Sequence, residues 1–305
     1  MPVIDSPRFE HLDDAVVATV AYSDVFDMPV DRVQLHRFLL GWRCDRDEVD
    51  RAVEAACAAG RLVQSGDLVH LPDRSEVLDV HRDRTGRAED MWRQAMQWSR
   101  WLGRVPFVRG VAVTGGLAVD SVAPHDDVDF LVVTAPRRLW LTRAMIVVIV
   151  RIADRSDIEL CPNFLVTSDA MEMQDRTAYS ARELAQMVDV IGGDVLDELR
   201  GRNDWLLEHL PNAAIEGDRS LVTDPGWSRR RAVAERVLSS RIFDRVERWE
   251  MDRKIAKLST VSSRRPEVGR PDESSFSPQR CKGHMVGNAA GIDVAWRDRL
   301  RQHVR

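Results

Sequence analysis

The spacing of apolar positions predicts that the N-terminal part of the chain is helical and ends in two short strands. Apolar residues recur at helical intervals from Asp13 to about Ser23, in a second helix that opens near Asp31, and from Asp45 to Gly60. Residues 61–64 and 67–71 follow as two short apolar runs on either side of a Ser-Gly turn, which is typical of a β-hairpin. We therefore expect a small domain of three helices and a hairpin.

The middle of the chain carries the clearest strand pattern. The stretch from Val111 to Thr134 reads VAVTGGLAVDSVAPHDDVDFLVVT, with an apolar strand, a Gly-Gly turn, a polar loop and a second apolar strand. Successive side chains of a strand point to opposite faces, so Asp127 and Asp129 lie on the same face of the second strand. The apolar residues between and after them then face a core.

The rest of the sequence predicts an α/β (α+β) chain that is organised in four parts. We expect a strand from Ile158 to Val166, a helix opened by a capping box at Ser180-Ala-Arg-Glu183 and continuing to Ile191, and a charged helix from Arg229 to about Ser259. The expected parts are an N-terminal domain (1–73), a connecting helix (74–105), a domain with a small mixed sheet flanked by helices (106–215) and a helical extension (216–305) with a flexible linker at about 259–279.

The composition argues against some classes of protein but does not identify the function. The 305 residues are 44% hydrophobic and 30% charged, with a net charge of −5, so no global positive field attracts nucleic acid. The four cysteines are widely separated, which argues against a zinc ribbon or a disulfide framework. The longest apolar run, Ala144 to Val150, is too short to span a membrane, and no signal peptide is visible, so we expect a cytoplasmic protein.

The paired aspartates and the paired glycines predict a metal and phosphate site. Two carboxylates on one strand face repel each other, and a hard cation such as Mg²⁺ or Mn²⁺ relieves that repulsion while taking further ligands from water and substrate phosphates. Glycines at 115 and 116 allow backbone N–H groups to approach a phosphate closely. A surface turn rich in aspartate, leading into an ordinary strand, is the structural alternative.

These motifs resemble the DNA polymerase beta-like nucleotidyltransferase superfamily over residues 106–215. A group of bacterial nucleotidyltransferase-domain proteins also resembles this chain at TGGLAV, HDDVDFLVVT, RRLWLTR, ELCPNFLV, ARELAQM and NDWLLEHLPN. The resemblance implies transfer of a nucleotidyl group from an NTP to an acceptor, which is a small molecule, a protein or an RNA. The residues implied in nucleotide binding are Thr114, Gly115, Gly116 and Arg143, although Arg143 also fits a solvated helix surface. Gly116 replaces the serine of that group's pattern.

The resemblance also implies a third carboxylate on a neighbouring strand. Glu159 is the first candidate for this third carboxylate, as a metal ligand and catalytic residue beside Asp127 and Asp129. Asp157 is the second candidate, because it has the same strand parity. Pro162 cannot donate a ladder hydrogen bond, so this strand is expected to lie at an edge or to be bulged. Without a third acid, the chain would be a nucleotide-binding regulator that does not catalyse transfer.

The N-terminal helices and hairpin resemble a winged-helix domain. Between Arg43 and Gly60 there are three arginines and five carboxylates, an unfavourable surface for phosphates. We therefore expect a structural role, a protein partner or a dimer contact rather than DNA binding. A DNA-binding transcription factor with a sensor domain remains the alternative from another class of protein.

Overall fold

The chain folds as a mixed α/β protein with two sheets. A computed structural model describes residues 9–156, 158–226, 228–263, 275–283 and 288–303. The N-terminal elements are α1 (Leu12–Asp24), β1 (Val30–Asp31), α2 (Arg32–Arg37), α3 (Arg46–Ala58), β2 (Val63–Ser65) and β3 (Leu68–His70), and their three strands form an antiparallel sheet in the order β1-β3-β2. We call this part, residues 12–70, the N-terminal unit.

Local sequence signals account for the helix starts in this unit. The Asp45 side chain accepts a hydrogen bond from the Glu48 backbone N–H, and the Glu48 carboxylate accepts one from the Asp45 backbone N–H, which together form a capping box. Asp31 caps α2 in the same way through the backbone N–H groups of Val33 and Gln34. The predicted helices and hairpin are therefore confirmed here as elements.

A long helix leads from the N-terminal unit to a larger mixed sheet. The elements that follow are α4 (Val77–Arg104), β4 (Val108–Thr114), β5 (Val128–Thr134), α5 (Leu139–Ala153), β6 (Leu160–Thr167), α6 (Ala178–Gln186), β7 (Val188–Ile191), α7 (Gly193–Gly201), α8 (Leu206–His209), α9 (Ser228–Leu238), α10 (Arg241–Ser263), β8 (Ser275–Ser277), β9 (Arg280–Lys282) and α11 (Asn288–His303). The strand order is β7-β4-β5-β6-β9-β8, in which β5 and β6 are parallel and the other pairs antiparallel.

The two faces of this sheet belong to different cores. Val111, Val113 and Phe130 pack with residues of α4 and α5 on one face. Ala112 and Leu131 point to the other face, where they join a core shared with α6, α7, α8 and the N-terminal unit. Asp129 has the same strand parity as Leu131, so its carboxylate lies on the face towards the N-terminal unit.

Two segments differ from the helical expectation. Residues Val188–Ile191 form β7 instead of continuing a helix, because they pair with β4 and bury Asp189 against Arg200 at 2.6 Å. The expected linker at about 259–279 is described only in part, since α10 continues to Ser263, Ser275–Ser277 is a strand, and residues 264–274 lie outside the described residues. Together β8 and β9 add a hairpin to the sheet, so the extension is not purely helical.

The bulge expected from Pro162 is present in β6. Asp129 is paired with Cys161 and Leu131 with Phe164, so two residues of β6 stand opposite one residue of β5. The strand does not lie at the edge, because β9 pairs with it from Phe164 to Val166. Pro162 precedes that paired stretch and therefore needs no ladder donor.

The C-terminal helix returns to the N-terminal unit. Trp296 of α11 is buried and donates its indole N–H to the backbone carbonyl of Ala18 in α1 at 2.9 Å. Its ring meets the Tyr22 ring edge-on, with centroids 5.6 Å apart. Arg299 also pairs with the buried Asp24 carboxylate at 2.5 Å. α11 thus supports the helix whose end approaches the large sheet. No helix within the described ranges is long and apolar enough to cross a membrane.

Candidate functional site

Two carboxylates and a thiol converge at the start of the parallel strand pair. Strand pairing places Thr114 opposite Asp129 on β4 and Cys161 beside Asp129 on β6, all on the face towards the N-terminal unit. One donor atom from each of Asp127, Asp129 and Cys161 lies within 4.8 Å of the others. We call these three residues the acidic group. The structure thus brings together Asp127 and Asp129, as the alternation of β5 predicted.

Without a bound metal ion, the charged form of the acidic group is electrostatically unfavourable. Burial, with a further contribution from the Asp127 charge, raises the pKa of the Asp129 carboxyl to about 7. Its Oδ1 atom is buried and has no hydrogen-bond partner among the described residues. Burial and the two neighbouring carboxylates also raise the pKa of the Cys161 thiol, which therefore remains protonated.

A divalent cation would satisfy this arrangement. The two carboxylates are hard oxygen ligands suited to Mg²⁺ or Mn²⁺, and the unpartnered Oδ1 atom of Asp129 provides a free ligand position. The Cys161 thiol is a softer ligand, of the kind that favours Zn²⁺. The donor set therefore fits a divalent ion, and its third member distinguishes it from an all-carboxylate site.

The glycine turn is fitted tightly against this group. Gly115 has a φ of +69°, and a Cβ there would lie 2.6 Å from Oδ2 of Asp129. At Gly116 a Cβ would lie 2.4 Å from the backbone oxygen of Ser121, because the loop closes through a 2.9 Å hydrogen bond from the Ser121 N–H to the Gly116 carbonyl. A Cβ at either position would therefore force neighbouring atoms to shift.

The other candidates from the sequence lie outside the acidic group. Glu159 is exposed and precedes β6; its backbone carbonyl accepts the Val128 N–H at 2.9 Å, while its carboxylate is not part of the group. The second candidate, Asp157, lies outside the described residues. The residue beside Asp129 on β6 is Cys161, because the register of the two strands pairs Val128 with Leu160 and Asp129 with Cys161.

Arg143 lies on the opposite side of the sheet from the aspartates. It belongs to α5, which packs with the Phe130 face, and its guanidinium lies 6.0 Å from the ring centroid of Trp140. The sheet lies between Arg143 and Asp129, so Arg143 does not contact the glycine turn. Thr114, in contrast, shares the face of Asp129 and is buried.

A cavity of about 430 Å³ opens between the acidic group and the N-terminal unit. Its walls come from the end of α1 and the following turn, the glycine loop, and α6, and Asp129 and both glycines are among the lining residues. Typical ligand sites have volumes of roughly 300–1,000 Å³. The N-terminal unit therefore forms part of the wall of the candidate site.

Sequence reasoning missed the polar residues that α6 contributes to this cavity. Thr177 caps α6 by accepting the Ser180 backbone N–H at 3.1 Å, so Glu183 does not serve in a capping box at Ser180 and instead lines the cavity. Burial raises the pKa of the Glu183 carboxyl to about 7. The adjacent Arg182 stacks on the Phe38 ring at 3.6 Å, and burial lowers the pKa of its guanidinium to about 10. An ionisable Arg-Glu pair in an otherwise apolar helix is the signal that could have marked this wall.

Comparison of the chain with protein-family models, curated proteins and solved structures found no match.

Proposed function

We propose that this protein is a nucleotidyltransferase that depends on a divalent metal and transfers an NMP from an NTP to a hydroxyl-bearing acceptor. The observation that carries the proposal is the pairing of Asp127 with Asp129, which lines a cavity large enough for a ligand together with the turn at Gly115 and Gly116. The sequence resemblance to polymerase beta-like nucleotidyltransferases supports the same conclusion. In this proposal the N-terminal unit is a winged-helix-like module that serves a structural or docking role.

The residues of the chain would act by positioning the substrate. Asp127 and Asp129 would hold two divalent ions, Mg²⁺ or Mn²⁺, which would offset the negative charge that develops on the phosphates during in-line displacement. Backbone N–H groups around Gly115 and Gly116 would hold the phosphates, since no side chain intervenes. The acceptor oxygen forms a bond to Pα, the bond from Pα to the bridging oxygen breaks, and pyrophosphate leaves with that electron pair.

Calorimetry on a double variant tests this proposal. Replacing both Asp127 and Asp129 with Ala should abolish metal-dependent NTP binding and leave the fold intact, because these crowded carboxylates oppose stability in the absence of metal. Glu159→Gln, which changes an exposed carboxylate outside the acidic group, is the matched control for metal binding. An unchanged NTP affinity in the double variant, with and without metal, would refute the proposal.

A nucleotide-binding regulator that does not catalyse transfer is a second candidate, and one observation favours it. Cys161 occupies the place beside Asp129 where the resemblance implies a carboxylate, and Glu159 lies outside the acidic group. Transfer of label from α-labelled NTP distinguishes the two functions. Glu159→Gln should cut transfer by at least about 100-fold if it is the general base. If the wild type binds NTP and labels no acceptor, the regulator is the correct function.

Duplex DNA is not a proposed partner. The acidic surface of α3 would repel phosphates, so we expect no gel shift with random duplex at physiological salt. Binding that tightens steeply as salt is lowered would contradict this expectation.

A further inference from the structure

The end of α1 places two buried hydroxyl groups in the wall of the same cavity. Tyr22 is 5% exposed and Ser23 is 2% exposed, and both line the cavity. Neither the Tyr22 hydroxyl nor Ser23 Oγ has a hydrogen-bond partner among the described residues. Leaving such groups unpaired costs stability, so a partner supplied by a ligand would account for both.

A carboxylate lines the same cavity as these hydroxyls. It belongs to Glu183 of α6. Within the described chain its Oε1 atom accepts a 2.7 Å hydrogen bond from the Gln186 side chain, and it forms no ion pair with Lys or Arg. Two sets of groups thus line one cavity: Asp129 with the two glycines, and the hydroxyls of Tyr22 and Ser23 with the Glu183 carboxylate.

We propose that Tyr22, Ser23 and Glu183 form the acceptor site and that it takes a small, uncharged or cationic molecule bearing hydroxyl groups. The inference rests on the proposed nucleotidyl transfer. Tyr22 and Ser23 would hydrogen-bond the acceptor, and Glu183 would receive its proton. In that step the acceptor O–H bond breaks, its oxygen bonds to Pα, pyrophosphate departs, and the proton resides on the Glu183 carboxylate.

The charges of the cavity argue against the end of a nucleic acid as acceptor. Four carboxylates line it and only two arginines: Asp27, Asp126, Asp129 and Glu183 against Arg84 and Arg182. Arg84 already donates to the Phe26 carbonyl at 2.6 Å, and Arg182 is stacked on Phe38. A metal would neutralise only the acidic group. The phosphodiesters beside the acceptor hydroxyl of a nucleic acid would therefore be repelled by the remaining net negative charge of the cavity.

Burial argues against a protein side chain as acceptor. The hydroxyls of Tyr22 and Ser23 lie inside the wall, so a ligand must enter the cavity to reach them. A polypeptide would have to bring its backbone to the mouth, whereas the cavity of about 430 Å³ can enclose a small molecule whole.

Transfer assays with separated acceptor fractions test the inference. Purified full-length protein is incubated with α-labelled NTP and Mn²⁺ or Mg²⁺, together with the small-molecule ultrafiltrate of a cell extract, its total RNA or its denatured protein. We expect label in a new small product from the ultrafiltrate alone. Glu183→Gln should reduce this transfer by about 100-fold and leave the Kd for NTP unchanged. Label in RNA or protein would overturn the inference.

Matched hydroxyl deletions separate an acceptor role from a structural one. Tyr22→Phe and Ser23→Ala should each raise the acceptor KM by about 10-fold, without lowering the melting temperature, because each removes an unpaired buried hydroxyl. Thr167→Val is the control, since its hydroxyl is equally buried and unpartnered but does not line the cavity; it should leave the KM unchanged. Equal effects of all three changes would refute the assignment.

A binding measurement covers the case in which no transfer is seen. Molecules retained from the ultrafiltrate are released by denaturation and quantified by mass spectrometry for the wild type and for the Tyr22→Phe, Ser23→Ala double variant. A compound retained only by the wild type supports the site even if nucleotidyl transfer fails. Identical retention by both proteins refutes the site, even if NTP binding to the acidic group succeeds.

Discussion

Replacing Asp129 with Asn should stabilise the metal-free protein at neutral and alkaline pH. The pKa of this carboxyl rises from 3.8 to about 7 in the folded state, chiefly through burial, so the folded protein binds the proton more tightly than the unfolded chain does. The stability contributed by the protonated form is fully present below pH 3.8 and is lost as the pH rises through about 7. Asparagine is neutral throughout and escapes this loss.

The magnitude follows from the size of the shift. A difference between 3.8 and about 7 corresponds to roughly 4 kcal/mol at pH values above both, as an upper limit. Most of the loss occurs above pH 5, so the advantage of the variant should grow by roughly 2.5 kcal/mol between about pH 5 and pH 8. Water entering the cavity reduces this figure, and we expect at least about 1 kcal/mol to remain.

Urea denaturation in the presence of EDTA, at both pH values, measures the difference. Glu159→Gln serves as the control, because an exposed carboxylate on the same edge should change stability by less than about 0.5 kcal/mol. Adding Mn²⁺ should then stabilise the wild type at the higher pH and leave the Asp129→Asn protein unaffected. If the gain in unfolding free energy of the variant is the same at both pH values, the folded protein does not disfavour the charged form of the Asp129 carboxylate, and the reasoning is refuted.

Three further changes test the geometry around the site. Gly116→Ser should destabilise the protein by about 1–3 kcal/mol and weaken NTP binding, since its Cβ would meet the Ser121 carbonyl at 2.4 Å; full activity would show that the loop is loose. Cys161→Asp should tighten Mg²⁺ binding and weaken Zn²⁺ binding in calorimetry, whereas Cys161→Ser should weaken only Zn²⁺; equal Mg²⁺ affinity in all three proteins would remove Cys161 from the acidic group. Trp296→Ala should cost about 3–5 kcal/mol in chemical denaturation, because it empties a buried contact between α11 and Ala18; a loss below about 1 kcal/mol would show that α11 does not support α1.

Features that depend on neighbours in the sequence could be predicted well. The alternation of β5 places Asp127 and Asp129 on one face wherever that strand lies, and the turn before it uses Gly115 at a φ of +69°, which glycine adopts readily. The capping box at Asp45 and Glu48 is equally local, since both hydrogen bonds span three residues. Asp129 and both glycines line the candidate site, so part of its wall could be predicted from the local sequence.

Assignments that depended on pairing or packing could not be made from the sequence. The apolar run Val188–Ile191 suits a helix or a strand, and only the free edge of β4 makes it a strand. From the sequence, Glu183 could take part in a helix cap or line a cavity. In the structure Thr177 is the N-cap of α6, so Glu183 is not needed for capping.

The composition of the site is therefore divided between sequence and tertiary structure. The pattern of β5 alone determines the two aspartates, because strand geometry repeats every two residues. The register between β5 and β6 decides that Cys161, and not Glu159, stands beside Asp129, and packing of α5 on the opposite face keeps Arg143 away. Contact with the N-terminal unit brings Tyr22 and Ser23 to the cavity from the far end of the sequence, which no local periodicity encodes.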